Sequence, residues 1–125
     1  ALGSADLIIS MEPMEALRYL PYLAENGTVV TSSQPFVNIP NYPDEAVVRA
    51  ELEALPHVAM LPIEDLVKEN NMPKSANVIL LGMAARYLDI LSADELRAAV
   101  ARVFERKGEA VVSANMKAFE LGLKG

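Results

Sequence analysis

The groups in this chain that could act together are hydroxyls and carboxylates, and they recur at one kind of place. Ser10 and Glu12 follow the apolar run Asp6-Leu7-Ile8-Ile9. Thr31, Ser32 and Ser33 close a second run, Thr28-Val29-Val30, and Glu64 lies just beyond a third, Val58-Ala59-Met60-Leu61. If the three runs are parallel strands, these groups share the carboxyl edge of one sheet, where ligands of open α/β folds collect. Such an edge suits a ligand or a contact with another subunit. The more ordinary role for any single serine there is to cap a helix start or satisfy a loop amide. Glu12 and Glu15 could be taken for an acid–base pair, but both fall in the first turn of a helix, where acids are favoured by the dipole. Asn77 is a further candidate: it opens an all-apolar helix, where it could pair with loop carbonyls or face a site.

Other chemistries find no residues to carry them. The chain has no cysteine, which removes thiolate nucleophiles, disulfides and cysteine-held zinc or iron–sulfur clusters. Its one histidine, His57, stands at the amino-terminal end of the third run, away from the carboxyl edge, and cannot build a multi-histidine metal site. No G-x-G-x-x-G, P-loop, G-x-S-x-G or H-E-x-x-H pattern occurs. The sequence therefore assigns no catalytic residue and no metal ligand. Its candidate ligand- or subunit-contact edge is Ser10, Glu12, Thr31, Ser32, Ser33 and Asn77.

The elements that must position these groups alternate over residues 1–72. Residues 6–10 are mostly apolar with nothing charged after the first, as in a strand buried on both faces. Pro13 then suits a first helical turn, where its missing N–H costs nothing. The helix is expected over residues 13–23 with Leu17, Leu20 and Leu23 on one stripe, and Pro21 kinks or ends it. Gly27 reads as a left-handed cap in a Glu25-Asn26-Gly27 turn, before a second strand over residues 28–32. Residues 33–43 form a long proline-interrupted connection carrying Phe36 and Tyr42, either a packed surface excursion or a flap or arm over a site. A helix over residues 44–55 is expected to turn Ala46, Val47, Ala50 and Leu55 inward and Glu45, Arg49, Glu51 and Glu53 outward. The third strand covers residues 57–61, and Pro62 opens a short helix.

From residue 73 onward the pattern is helical. Ser75 is placed to cap a helix over residues 76–88, whose Val78–Ala85 stretch is apolar all round and so buried from more than one side. Gly82 in its middle costs ~1 kcal/mol against alanine, which implies close approach by another backbone. Ser92-Ala93-Asp94-Glu95 is a capping box. It opens a helix with Leu96, Ala99, Val100, Val103 and Phe104 at helical spacing, stopping at Gly108. A last helix over residues 109–121 puts Ala114, Ala118 and Phe119 on one face and ends at Gly122. The fold class is α/β: a three-layer α/β/α arrangement with a mostly parallel sheet, followed by a C-terminal helical portion.

At 125 residues this is expected to be one domain with a genuine core. Its first strand starts abruptly and without an initiator methionine, so the natural polypeptide is expected to extend upstream, with this chain as its C-terminal part. Hydrophobic content of 52% favours apolar surface covered by another chain, a second copy among the options. No window approaches the ~18 apolar residues of a membrane span, and no signal peptide is visible. The absence of cysteine agrees with a cytoplasmic setting. Residues 1–72 carry 11 acids and 3 bases, whereas residues 73–125 carry 6 acids and 8 bases. Such a front half argues against nucleic acid, whose binding requires phosphate neutralisation.

The order of pieces also resembles a known family. The run ADLIISMEPMEALRYLPYLAENGTVVTSSQ, the proline-rich connection, ANVILLGMAARYL, the helix ending FERKG and the final NMKAFELG resemble the gamma-type domain of the 2-oxoacid:ferredoxin oxidoreductases over essentially the whole chain. The most specific pieces are Asp6, Glu12-Pro13, Ala16-Leu17, Gly27-Thr28, and Asn77 with Leu81-Gly82. Within the family the likeness is greatest to the indolepyruvate-type enzymes, with the pyruvate and 2-oxoglutarate enzymes next. The resemblance implies a subunit of a thiamine-diphosphate enzyme that oxidatively decarboxylates a 2-oxoacid, forms the acyl-CoA and passes electrons to ferredoxin. It implies that thiamine diphosphate, iron–sulfur clusters and CoA belong to the whole complex, with no cofactor bound by this chain alone and the partner being the catalytic subunit. The family's leading Gly-x-Gly-Gly-Gln-Gly segment is absent from the chain, so its binding role cannot be carried over. Two other classes fit the bare pattern: a Rossmann-type nucleotide- or S-adenosylmethionine-dependent domain lacking its glycine-rich half, and a non-enzymatic binding module. Upstream sequence separates them, because a Rossmann domain would show an acidic residue ~20 positions past its glycine loop.

Overall fold

The computed structural model describes residues 1–35 and 42–125. Most of the proline-rich connection, Phe36 included, lies outside the described residues. The chain divides into two compact units, Ala1–Pro62 and Ile63–Gly125.

The first unit holds strands β1 (Ala5–Ser10), β2 (Leu23–Ser32) and β3 (Val58–Leu61), all parallel and ordered β1-β2-β3. Ser10 pairs with Thr31, and Ser32 with Leu61, so the three carboxyl ends lie side by side. Helices α1 (Pro13–Arg18) and α2 (Glu45–Glu53) pack on each other. Their core joins Ala16, Val48 and Leu52 to Val29, with Ile8 and Val58 packed alongside. Fully buried Leu52 contributes about 1.5–3 kcal/mol by leaving water.

Three local expectations are corrected here. The first helix ends at Arg18, and a 3-10 turn over Leu20–Tyr22 containing Pro21 leads straight into β2, because proline cannot continue the α-helical bonding. Gly27 is no left-handed cap: it lies within β2, where pairing jumps from Ala5 with Leu23 to Leu7 with Thr28. A Cβ there would sit 2.5 Å from Leu23 Cδ1 and 2.9 Å from the Ala5 carbonyl oxygen, so glycine allows the irregular stretch to fold down. On α2 the buried residues are Val48 and Leu52, while Ala46 and Ala50 face outward and Val47 is 53% exposed. The branched i, i+4 pair removes far more apolar area from water than the alanine stripe would.

The second unit is helical. Helix α3 (Ile63–Glu69) ends in a Schellman motif, in which the Met72 amide donates to Val67 O at 3.0 Å and the Asn71 amide to Lys68 O at 3.3 Å, with Asn71 at φ 51°. Helix α4 (Ala76–Ala84) continues as a 3-10 turn through Tyr87, α5 covers Ala93–Phe104, and α6 covers Glu109–Lys124. Six of the nine α4 residues are buried. The expected close approach is made by α6: a Cβ on Gly82 would lie 2.2 Å from Phe119 O, and one on Gly122 would lie 1.9 Å from Ile79 O. Gly122 therefore does not end α6, as its type suggested, but sits inside it at the crossing. Ser92 and Glu95 form the expected reciprocal box. Leu96 and Val100 are buried on α5, but Ala99 faces outward and Val103 is 71% exposed. Ser75 precedes α4 without capping it: its hydroxyl donates to Asn115 Oδ1 of α6 at 3.0 Å, and both residues are buried. No helix among the described residues is long and apolar enough to cross a membrane.

Candidate functional site

The parallel register brings Ser10, Glu12, Thr31, Ser32 and Ser33 to one edge of the first unit. Most of their polar atoms serve the turns that leave it. Ser10 Oγ donates to the Glu12 carbonyl at 2.8 Å and accepts from the Glu12 amide at 3.2 Å, which swings the chain from β1 into α1. Glu12 is the N-cap of that helix, with extended backbone, and its Oε1 accepts from the Met14 amide at 3.0 Å. Buried Thr31 donates to the Ser32 carbonyl, and Ser32 Oγ accepts from the Gln34 amide, each at 3.2 Å. The Ser33 amide prolongs the ladder to Leu61 O at 2.8 Å. Its Oγ is buried with no hydrogen-bond partner among the described residues.

The Glu12 carboxylate also accepts from the Tyr42 hydroxyl at Oε1, with Oε2 3.3 Å away. Tyr42 stands two residues before Asp44, whose side chain caps α2 through the Ala46 amide at 2.9 Å. One charge-assisted bond thus ties the start of α1 to the approach to α2. Burial, followed by the hydrogen bond and negative charge of Glu12, holds the Tyr42 phenol far above its ordinary ionisation range. Beneath it lies a cavity of about 10 Å³, lined by Pro13, Ser33, Tyr42, Glu45, Arg49 and Leu52 among others.

Asn77 lies in the second unit, exposed on the first turn of α4. His57 is exposed before β3, and its backbone carbonyl accepts from the Val29 amide at 3.0 Å. Among the described residues no three histidine, aspartate or glutamate side chains converge to hold a metal ion. The sequence also has no cysteine to hold an iron–sulfur cluster. Sequence reasoning named Tyr42 only as part of a possible flap and missed Glu45 and Arg49 as members of this edge. Tyr42 reaches Glu12 across 30 positions, a contact for which no local pattern provides a signal.

A parallel α/β unit followed by a helical unit, with strand-end polar groups that mostly fasten turns, defines an α/β chain. The whole chain, residues 1–125, matches the family described as pyruvate ferredoxin/flavodoxin oxidoreductase, and it belongs to that family. It is similar to indolepyruvate oxidoreductase subunit IorB of Pyrococcus horikoshii, 32% identical over 131 residues that cover 98% of this chain and 63% of the relative. The same subunit of Thermococcus kodakarensis gives the same identity and coverage. That of Archaeoglobus fulgidus is 25% identical over 128 residues, covering 96% of this chain and 62% of the relative. The chain thus spans somewhat less than two-thirds of the length of these curated relatives.

Proposed function

We propose that this chain is part of a subunit of an indolepyruvate-type 2-oxoacid:ferredoxin oxidoreductase. The observation that carries the reading is the family match over every residue, joined to 32% identity with two IorB subunits. The reaction is oxidative decarboxylation of a 2-oxoacid: carbon dioxide leaves, the acyl group passes to CoA, and the electrons pass to ferredoxin. Thiamine diphosphate supplies the carbanion chemistry when bound, and it and the clusters belong to a partner subunit in the cytoplasm. This chain's own share is structural. Glu12 already accepts the Met14 amide and the Tyr42 phenol, and Ser10 and Ser32 hold turns, so the edge supports contact with the partner more readily than proton transfer.

The test is purification of the full-length polypeptide from its native host under mild conditions. It is expected to co-elute with a large cluster-bearing, thiamine-diphosphate-containing partner, and the complex to reduce a viologen dye given indolepyruvate and CoA. A full-length polypeptide that elutes alone, or a complex inert to every 2-oxoacid, would overturn the reading.

A further inference from the structure

We infer that the cavity between the carboxyl end of β2 and α2 is a binding site for one ordered water, held by Ser33 Oγ. Two independent features point to the same occupant. The Ser33 hydroxyl, one donor with two acceptor lone pairs, is buried and makes no hydrogen bond among the described residues. Such a group is costly to leave unmade. The cavity that Ser33 helps to line measures about 10 Å³, close to the least volume that holds a single water, ~10–15 Å³. It is too small for a substrate or cofactor group. Its lining is also mixed: Tyr42, Glu45 and Arg49, residues that carry polar groups, line it beside Pro13, Val48 and Leu52. A wholly apolar cavity of that size would stay dry.

The water extends the fastening already seen at this edge. The Glu12–Tyr42 bond joins the starts of α1 and α2. The water joins the end of β2 to the α2 side of the same cavity, so that strand and helices are tied at one place. This inference does not rest on the proposed enzymatic role.

The test uses the full-length polypeptide, with a crystal structure fine enough to show ordered solvent and thermal unfolding of Ser33→Ala. The expected result is density for one water within hydrogen-bond reach of Ser33 Oγ, and a Tm for Ser33→Ala lower by a few degrees. Two results overturn it: a wild-type structure without that density, or a Ser33→Ala Tm equal to or above wild type, as follows when an unpaired buried hydroxyl is simply deleted. The solvent density decides the matter even if the variant is too unstable to compare.

Discussion

Adding one methyl group at the α4–α6 crossing should unfold this protein more readily than its helix propensity would suggest. A Cβ on Gly122 would stand 1.9 Å from Ile79 O and 2.8 Å from Met83 N. Carbon–oxygen contacts settle near ~3.3 Å, so Gly122→Ala requires the helices to part by about 1.4 Å, and Gly82→Ala by about 1.1 Å. The atoms in the way are backbone, so no side chain can rotate aside. Parting by ~1 Å forfeits a quarter to a half of each dispersion contact across the seam, which is lined by Ile79, Met83, Ala118 and Phe119. Against an overpacking cost that exceeds the usual ~1–3 kcal/mol stands a gain of ~1 kcal/mol in helix propensity. The net expectation is a loss of about 3 kcal/mol for Gly122→Ala and about 2 kcal/mol for Gly82→Ala, read from urea midpoints lowered by ~1–2 M. The double variant should lose less than the sum by ~1 kcal/mol, since the first methyl already parts the helices. Ser113→Ala on the exposed side of α6 serves as the control and should stay within ~0.5 kcal/mol. A Gly122→Ala protein as stable as wild type, or more stable by the propensity gain, would refute the close crossing.

Three further outcomes are expected. Glu12→Ala and Tyr42→Phe should each cost about 1–3 kcal/mol, less in combination than in sum, because both break one charge-assisted bond. Turnover per assembled complex should hold in both, and a pure loss of turnover in an intact, equally stable complex would count against the fastening role. The second outcome concerns pH: the folded phenol of Tyr42 ionises well above its unfolded value of 10.0. Its stabilisation is therefore complete below that value and fades as pH rises past it, so the Tm advantage of wild type over Tyr42→Phe should shrink in strong alkali. Parallel Tm curves for the two proteins across that range would rule out the shift. Third, Leu52→Ala should cost about 2–5 kcal/mol by denaturant unfolding, whereas Val47→Ala should be near neutral. Equal losses would mean that α2 presents a different face to the sheet.

Glycine shows how far the fold was legible and where it stopped being so. Gly82 sits mid-helix at a cost, and that cost alone announced a neighbouring backbone. By pattern alone Gly27 and Gly122 are turn and stop signals, which is what glycine after a periodic run ordinarily means. Both proved to be places where another part of the chain comes too close for a side chain. Gly108, at φ 97°, is the one read as a stop whose backbone is left-handed. A sequence states that a side chain is missing, and only the packing partner reveals which of glycine's two uses is meant. The three strands and the helices between them were legible because buried apolar runs and proline at a helix start are local signals. The inward face of α2 was not, since Val47 and Val48 differ only in which meets Val29 and Ala16 across the layer.

The edge divides in the same way. Residue types and spacing were enough to place Ser10, Glu12, Thr31, Ser32 and Ser33 together, because parallel strands must end together. What those residues do depends on Tyr42, which arrives from 30 positions away. Once it is present, Glu12 changes character. A carboxylate acting as a general base must offer an oxygen to an incoming proton and be able to turn toward it. Glu12 holds a helix amide and a half-buried phenol at once, so protonating it would weaken the bond that anchors the approach to α2. Chemistry at that oxygen would cost the shape of the edge itself.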